Sequence, residues 1–298
     1  MQTFIKIATH EGGKINISMG LIMKNVKTLA LAATTIAAMS APAMAADRGE
    51  DIRSGDYSWM QFNAMYAFDE LPSAGESGHD YLEMEFGGRA GVVDLYGYVD
   101  VFNLFTQDSG DKGYGESRMF MKFAPRFSLD AITGLDLSVG PIQEVYFSTL
   151  FNWGGGAIGE DVNSSFWGLG ADVMVPWLGK TGMNLYAHYD MNGKDWNGYQ
   201  FSANWFKPVH NFDNGTFVAF QGYVDYQFGA DDEYGDEFVP MSSNGGAAYF
   251  GLHWHSDNYA LGYGLKGYKD VYLLEDGAGI VGLETTGWAH YLTATYKF

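Results

Sequence analysis

Residues 118–127 read "RMFMKFAPRF". Met119, Met121 and Phe123 fall on one parity, and Arg118, Phe120, Lys122 and Arg126 fall on the other. A period of two belongs to a β-strand, whose successive side chains point to opposite faces. The polarity decides the rest, because the uniform face is apolar and the bases share the variable one. A Lys or Arg held against lipid at mid-bilayer costs about 2–4 kcal/mol, so a membrane-crossing strand must turn these three bases inward.

Neighbouring segments obey the same rule. In "YLEMEF" (81–86) Glu83 and Glu85 go inward while Leu82, Met84 and Phe86 go outward, and in "VVDLYGYVDVF" (92–102) Asp94, Tyr96, Tyr98 and Asp100 go inward. Segments of this kind are expected at 57–68, 80–88, 92–102, 117–128, 141–153, 164–175, 182–190, 197–207, 215–228, 246–255, 258–268 and 286–298. The odd-numbered connections are long and acidic (69–79, 103–116, 154–163, 229–245 with "ADDEYGDE", 269–285). The even-numbered ones are short: "GRA" at 88–90, "PWLGKTG" at 176–182, "PVHNFDN" at 208–214 and "SDN" at 256–258. "MNGKDWN" and "DAITGLDLSVG" blur this division. The pattern predicts an all-β fold, a transmembrane antiparallel β-barrel of twelve strands with short periplasmic turns and long acidic extracellular loops.

A soluble β-sandwich also alternates, but three features favour the membrane. The segments approach the 9–11 residues that cross a bilayer at a tilt. Aromatics crowd the segment ends (Tyr57, Trp59, Trp153, Trp167, Trp196, Trp205, Trp254, Tyr259, Trp288, Phe298), as interfacial girdles require. An export signal precedes the first segment. From Met23, "MKNVKTLALAATTIAAMSAPAMAA" has basic Lys24 and Lys27, an apolar stretch and an A-x-A site ending at Ala45, so cleavage is expected between Ala45 and Ala46. Residues 1–22 fit no targeting pattern and are read as an upstream mis-start, 23–45 as the signal peptide and 46–298 as the barrel.

Composition narrows the function. With 40 Gly, 7 Pro and 16% aromatics, the chain consists of β-favouring segments broken by flexible turns, and a bundle of membrane helices is excluded. A net charge of -19 argues against nucleic-acid binding, which rests on releasing counterions with Lys and Arg. The absence of Cys removes thiolate metal sites. About eight strands make a barrel filled by side chains and sixteen to eighteen leave an open channel, so twelve suit a narrow path in which a solute touches the wall on several sides. The lumen and solute-binding candidates are Glu83, Glu85, Tyr96, Tyr98, Asp100, Arg118, Lys122, Arg126, Glu144 and Tyr146. Glu83, Glu85, Asp94, Asp100 and Glu144 are expected beside Arg118, Lys122 and Arg126, either as a stiffening wall of ion pairs or as a track that orients solutes. Phe120, Tyr186, Tyr223, Tyr249, Tyr268 and Tyr291 share the inward parity. Aromatic faces among hydrogen-bonding groups suit a neutral solute with a flat apolar part and a polar part.

Other chemistry is set aside. His253 and His255 share a face but lack a third metal ligand, and His188 with Asp190 lacks a nucleophile at a recognisable spacing. "GGG" at 154–156 and "GLG" at 168–170 precede no helix and so are not phosphate loops. The acidic 229–245 loop has no calcium-hand spacing; its roles are solvation or divalent bridging to lipopolysaccharide. No cofactor and no enzyme activity are expected. The final "WAHYLTATYKF" (288–298) reads as the closing strand, ending on an outward Phe298 that resembles the signal taken by the barrel-assembly machinery. His290 is its outward-facing exception.

Several stretches carry a family resemblance: "YLEMEF", "DLYGYVDVF", "KFAPRFSLDAITGLDLSVGPIQEVYFS", "FWGLGADV", "MNLYAHYD", "DWNGYQFSANWFKP" and "TTGWAHYLTATYKF". Across residues 80–298 they resemble the nucleoside-specific channel-forming family typified by Tsx, and most of all its outer-membrane protein K (OmpK) branch. The resemblance implies a monomeric twelve-stranded barrel in a Gram-negative outer membrane that passes nucleosides and similar small solutes, with surface loops serving as a phage receptor. Glu83, Glu85, Tyr96, Tyr98, Asp100, Arg126, Asp130, Glu144 and Tyr146 stand at matching motif positions. Residues 46–79 depart from the pattern. The family's aromatic-Gly pair after the first strand, which contributes to solute recognition, has no counterpart in "FDELPSAGESG". The alternative is a surface structural or receptor barrel without selective transport.

Overall fold

The computed structural model describes residues 53–298, apart from 74, 76, 106–117, 156–161, 233–234, 236–239 and 280–281. The upstream segment, the signal peptide and its cleavage site lie outside the described residues, as do 233–234 and 236–239 of the acidic 229–245 loop. Among the described residues, twelve antiparallel strands pair with their neighbours in sequence, and the first pairs with the last to close the barrel. They are β1 (Tyr57–Phe68), β2 (Gly78–Ala90), β3 (Val93–Phe102), β4 (Met119–Ser128), β5 (Ile142–Gly155), β6 (Asn163–Val175), β7 (Gly179–Asp190), β8 (Asp195–Asn211), β9 (Phe217–Phe228), β10 (Asn244–His255), β11 (Tyr259–Lys269) and β12 (Gly287–Lys297).

Alternation is cleanest in β12. Trp288, His290, Leu292, Ala294 and Tyr296 are exposed, whereas Ala289, Tyr291, Thr293 and Thr295 are buried. β12 pairs β1 through Ala64 opposite Ala294, and Phe298 packs edge-on against Phe62 with centroids 5.5 Å apart. His290 is outward as expected, and its Nδ1 lies 2.6 Å from the hydroxyl of outward Tyr263.

Several strand ends differ from the sequence reading: β8 runs on to Asn211, so that 208–211 of the expected turn are strand, and two other extensions bring bases into the wall. β2 continues to Ala90, leaving a turn at Gly91-Val92 in which Gly91 takes φ 57°. Arg89 is therefore not a turn residue; it lies in the strand and is 6% exposed. β7 likewise starts at Gly179, which brings Lys180 into the wall. In both cases pairing across the sheet carries the strand further than local turn propensity suggests.

Tyr57 and Trp59 also correct the girdle assignment. Gln61 and Asn63 pair opposite Glu85 and Glu83, so the same parity of β1 carries Tyr57 and Trp59 to the lumen side. Trp59 lies 6.3 Å from inward Tyr96 and against the face of Gly87. Trp167, Trp196, Trp254, Tyr259, Trp288 and Phe298 are exposed on the outer parity.

"DAITGLDLSVG" is more than a plain turn, because it contains one turn of helix, α1 (Leu129–Thr133). Ser128 Oγ accepts from the Ala131 N–H at 3.1 Å, and Gly134 closes the helix in the left-handed region at φ 69°. The Asp130 carboxylate accepts from the N–H groups of Leu137 and Val145, both at 2.9 Å. Asp130 thus staples this connection and does not face the lumen.

At the opposite end, the β11–β12 connection folds over the barrel in a 3-10 turn at Val271–Leu273. Asp270, Tyr272 and Leu273 hold positive φ without being glycine, a strain that surrounding contacts must offset. Val271 packs against Leu71, Tyr81, Tyr268 and Tyr291. Burial pushes the Asp270 carboxyl up, but Lys269, the Asp276 N–H and the Thr286 hydroxyl donate to it and hold it below the ordinary carboxylate range.

Leu292 sits at the centre of β12 on the outer face. Leu292→Arg is expected to destabilise the barrel by about 2–4 kcal/mol in denaturant titrations in lipid vesicles, whereas Leu292→Phe stays near the parent.

Candidate functional site

The inward side chains form three groups. At the short-turn end is a buried ionic cluster built on β2 to β7. Arg89 grips Glu144 with both guanidinium arms, at 2.8 and 2.6 Å, with side chains 4% and 8% exposed. Ser128 donates to the same carboxylate, and the Tyr146 hydroxyl lies 2.7 Å from it. Arg126 binds Asp94 at 2.9 Å and Asp172 at 3.0 Å, with its guanidinium 4.1 Å over the Tyr146 ring. Lys180 adds a further contact to Asp172 at 2.8 Å.

The second group lies on β1 to β3, where Glu83, Glu85 and Asp100 come together and, among the described residues, form no ion pair with a base. Amides and hydroxyls satisfy the two glutamates instead. Gln61 Nε2 donates to Glu85 at 2.5 Å, Asn63 Nδ2 to Glu83 at 2.5 Å and Glu85 at 3.1 Å, and the Tyr96 hydroxyl to Glu85 at 2.9 Å. Thr295 Oγ1 in turn orients Asn63 at 2.6 Å. Asp100 stands opposite Glu83 in the ladder.

The third group is an aromatic ladder on β9 and β10 that starts from Tyr291 of β12. From the loop end, Tyr291 meets Tyr249 edge-on at 5.9 Å, and Tyr249 stacks on Tyr223 at 5.9 Å and 15°. Tyr249 OH contacts His253 Nε2 at 3.0 Å. His253 and His255 stack at 6.1 Å, and His255 stacks on Phe217 at 4.9 Å. Glycines seat these rings. A Cβ at Gly264 would lie 2.1 Å from the Tyr249 ring, and one at Gly262 would lie 2.1 Å from His253. Among the described residues no group of three or more His, Asp or Glu is arranged to hold a metal ion.

Between these walls, toward the long-loop end, lies a cavity of about 260 Å³. Tyr98, Phe120, Lys122, Tyr223, Asp225 and Lys266 are among its lining residues. Lys122 on β4 reaches Asp225 on β9 at 2.8 Å, a contact across the lumen between strands on opposing sides of the barrel. Lys266 stands 4.9 Å over Tyr268, 5.6 Å over Tyr291 and 6.0 Å over Tyr223, and 3.9 Å from Glu70.

The expected pairing of acids with Arg118, Lys122 and Arg126 therefore holds for Arg126 with Asp94 alone. Glu144 goes to Arg89 and Lys122 to Asp225. Arg118 contributes backbone bonds, donating to the Gly155 carbonyl and accepting from Phe102, both at 3.0 Å. Arg89, Asp172, Lys180, Asp225 and Lys266 escaped the sequence reading. For Arg89 and Lys180 the signal was a base next to a short turn; for Asp225 and Lys266 it was inward parity alone. His188 is another correction. Its Nε2 lies 3.1 Å from Ser164 Oγ, its Nδ1 lies 3.1 Å from the Asn197 carbonyl, and it stacks on Phe166 at 4.5 Å. The hydroxyl partner comes from the neighbouring strand, where sequence spacing did not place it.

Residues 54–298 match the family described as "Nucleoside-specific channel-forming protein, Tsx". The chain belongs to the Tsx family. The match begins within the segment that the motifs left out, extending the likeness to all of β1. Among curated relatives, "Outer membrane protein OmpK" of Vibrio parahaemolyticus is 58% identical over 270 residues, which is 90% of this chain and 98% of that protein. "Nucleoside-specific channel-forming protein Tsx" of Salmonella typhimurium is 28% identical over 91% of this chain and 98% of its own length. The Escherichia coli O157:H7 protein of the same name is 31% identical over 73% of this chain and 81% of its own length. This Tsx-family chain is an outer-membrane channel of a Gram-negative bacterium, embedded in a bilayer and open to small solutes; the family is a channel family, not an enzyme family.

Removing one partner of a buried ion pair strands the other charge at about 3–5 kcal/mol. Arg89→Leu is expected to destabilise the barrel by that amount in vesicle denaturation, and adding Glu144→Leu should return most of it. Equal loss in single and double variants would show that the pair is not the unit of stability.

Proposed function

We propose that the channel carries nucleosides and similar small neutral solutes, and that the aromatic ladder from Tyr291 through Tyr249 and Tyr223 to His255 is the surface along which the flat base moves. The ladder is the observation that supports this reading most directly. Stacking a base on an aromatic side chain contributes about 1–3 kcal/mol and tolerates any base, which suits a channel whose sites must release what they bind. The ribose hydroxyls then meet Glu83, Glu85, Asn63 and Gln61 on the facing wall, with Tyr96, Tyr98 and Asp100 beside them. In this reading Arg126, Glu144 and Tyr146 fix the wall around the path, Lys122 lies in it, and Arg118 stands at its mouth.

Three further proposals accompany this one. Closure within one chain leaves no unpaired edge, which supports a monomer. The alternating end at Phe298 supports recognition by the barrel-assembly machinery. Loops clustered at one rim support use by phage as a receptor and divalent bridging to lipopolysaccharide.

Nucleosides should block single-channel current in planar bilayers reversibly. Tyr249→Ala should weaken that block by about 5- to 150-fold, the equivalent of one lost stack. Ion conductance with no block by any nucleoside would refute the selective reading. Deleting 231–241, within the loop and outside β10, should abolish phage adsorption while nucleoside block persists; loss of adsorption in no loop variant would remove the receptor role.

A further inference from the structure

The contact between Lys122 and Asp225 is neither part of the ionic cluster nor part of the aromatic ladder. It runs from β4 to β9 through the lumen, at the edge of the cavity. Its two ends differ in freedom. Asp225 is pinned, accepting from Ser202 Oγ at 2.6 Å and Gln200 Nε2 at 3.4 Å. Lys122 is held at the end of a flexible four-carbon stem, with its ammonium 5.6 Å from the Tyr223 ring. On that ring a second ammonium, Lys266, stands 6.0 Å away. The side chains of the pair are 17% and 24% exposed, so neither is sealed within the wall.

We propose that the Lys122–Asp225 pair is the charge filter of this channel, cancelling one lumen ammonium so that anionic solutes find no phosphate or carboxylate site at Tyr223. While Asp225 occupies Lys122, the other lining ammonium, Lys266, has Glu70 at 3.9 Å, and the facing wall presents Glu83, Glu85 and Asp100, none of them in an ion pair among the described residues. A neutral solute meets little penalty there, and an anion finds no uncompensated base. If Asp225 loses its charge, Lys122 keeps its place beside the Tyr223 ring, next to Lys266, without its carboxylate, and an unpaired ammonium beside an aromatic face is the recognition chemistry for a flat group bearing a phosphate. The pair also spans the lumen, so it sets how much of the cross-section is open.

The test is reversal potential and conductance of the full-length barrel in planar bilayers under a KCl gradient, with heat-dependent gel mobility as the check of folding. The unsubstituted channel should favour cations. Asp225→Asn should shift the reversal potential toward anions and create a block by nucleoside 5′-monophosphate that is absent from the parent. Lys122→Gln should shift it further toward cations and raise conductance. The exchange Lys122→Asp with Asp225→Lys should bring both readings back toward the parent, and it carries the test if Asp225→Asn fails to fold. Unchanged reversal potentials in the single variants, with only resistance to denaturant altered, would make the pair a strut and overturn the proposal. Reversal potentials read ions alone, so this outcome is separable from failure of nucleoside transport, which would appear as absent nucleoside block in the parent channel.

Discussion

Inside a bilayer the backbone has no water to bond to, so every N–H and C=O in the hydrocarbon must find a partner in the sheet. The pairing of β1 with β12 is where this chain meets that demand, because it removes the two edges that eleven other pairings would leave open. Closure also fixes register. A one-residue slip would send every inward side chain outward, and with bases and carboxylates on one face and Leu, Phe and Trp on the other, such a slip is prohibitively costly. The same register carries Trp59 into the lumen although its residue type suits the girdle: its parity follows Gln61 and Asn63, whose partners are Glu85 and Glu83.

Once the wall is closed, the lumen divides by chemistry. On β2 to β7 the cluster around Arg89, Arg126, Glu144 and Asp172 fills space with charges that satisfy one another. Such clusters add little net stability compared with apolar packing, but their geometry is unforgiving, so that half of the barrel is rigid. The β9–β10 side is built otherwise. Gly262 and Gly264 withhold their side chains so that His253 and Tyr249 lie against the strand, leaving ring faces and polar edges for a passing solute. Lys122 and Asp225 join the two halves across the middle.

The strand segments and their facing were legible because the membrane imposes a simple rule on side chains two residues apart. Glu83, Glu85, Tyr98 and Lys122 could be placed by that rule alone. It failed at strand ends. Arg89 looked like a turn residue because Gly88 and Gly91 flank it, yet cross-strand pairing extended β2 past it. Partner choice was harder still. Nothing near Lys122 names Asp225, 103 residues away, and the Ser164–His188 contact likewise depends on how β6 and β7 align.

By itself, then, the sequence determined which side of the wall nearly every residue occupies, since parity is a local property and lipid penalises any error in it. Tertiary structure decided which inward groups meet. Those meetings depend on barrel closure, shear and the length of side chains reaching over a lumen, and these are properties of all twelve strands together. The charged residues were visible as a list; their arrangement into a rigid cluster, an acidic wall held by amides and hydroxyls and a bridge across the path exists only in the closed barrel.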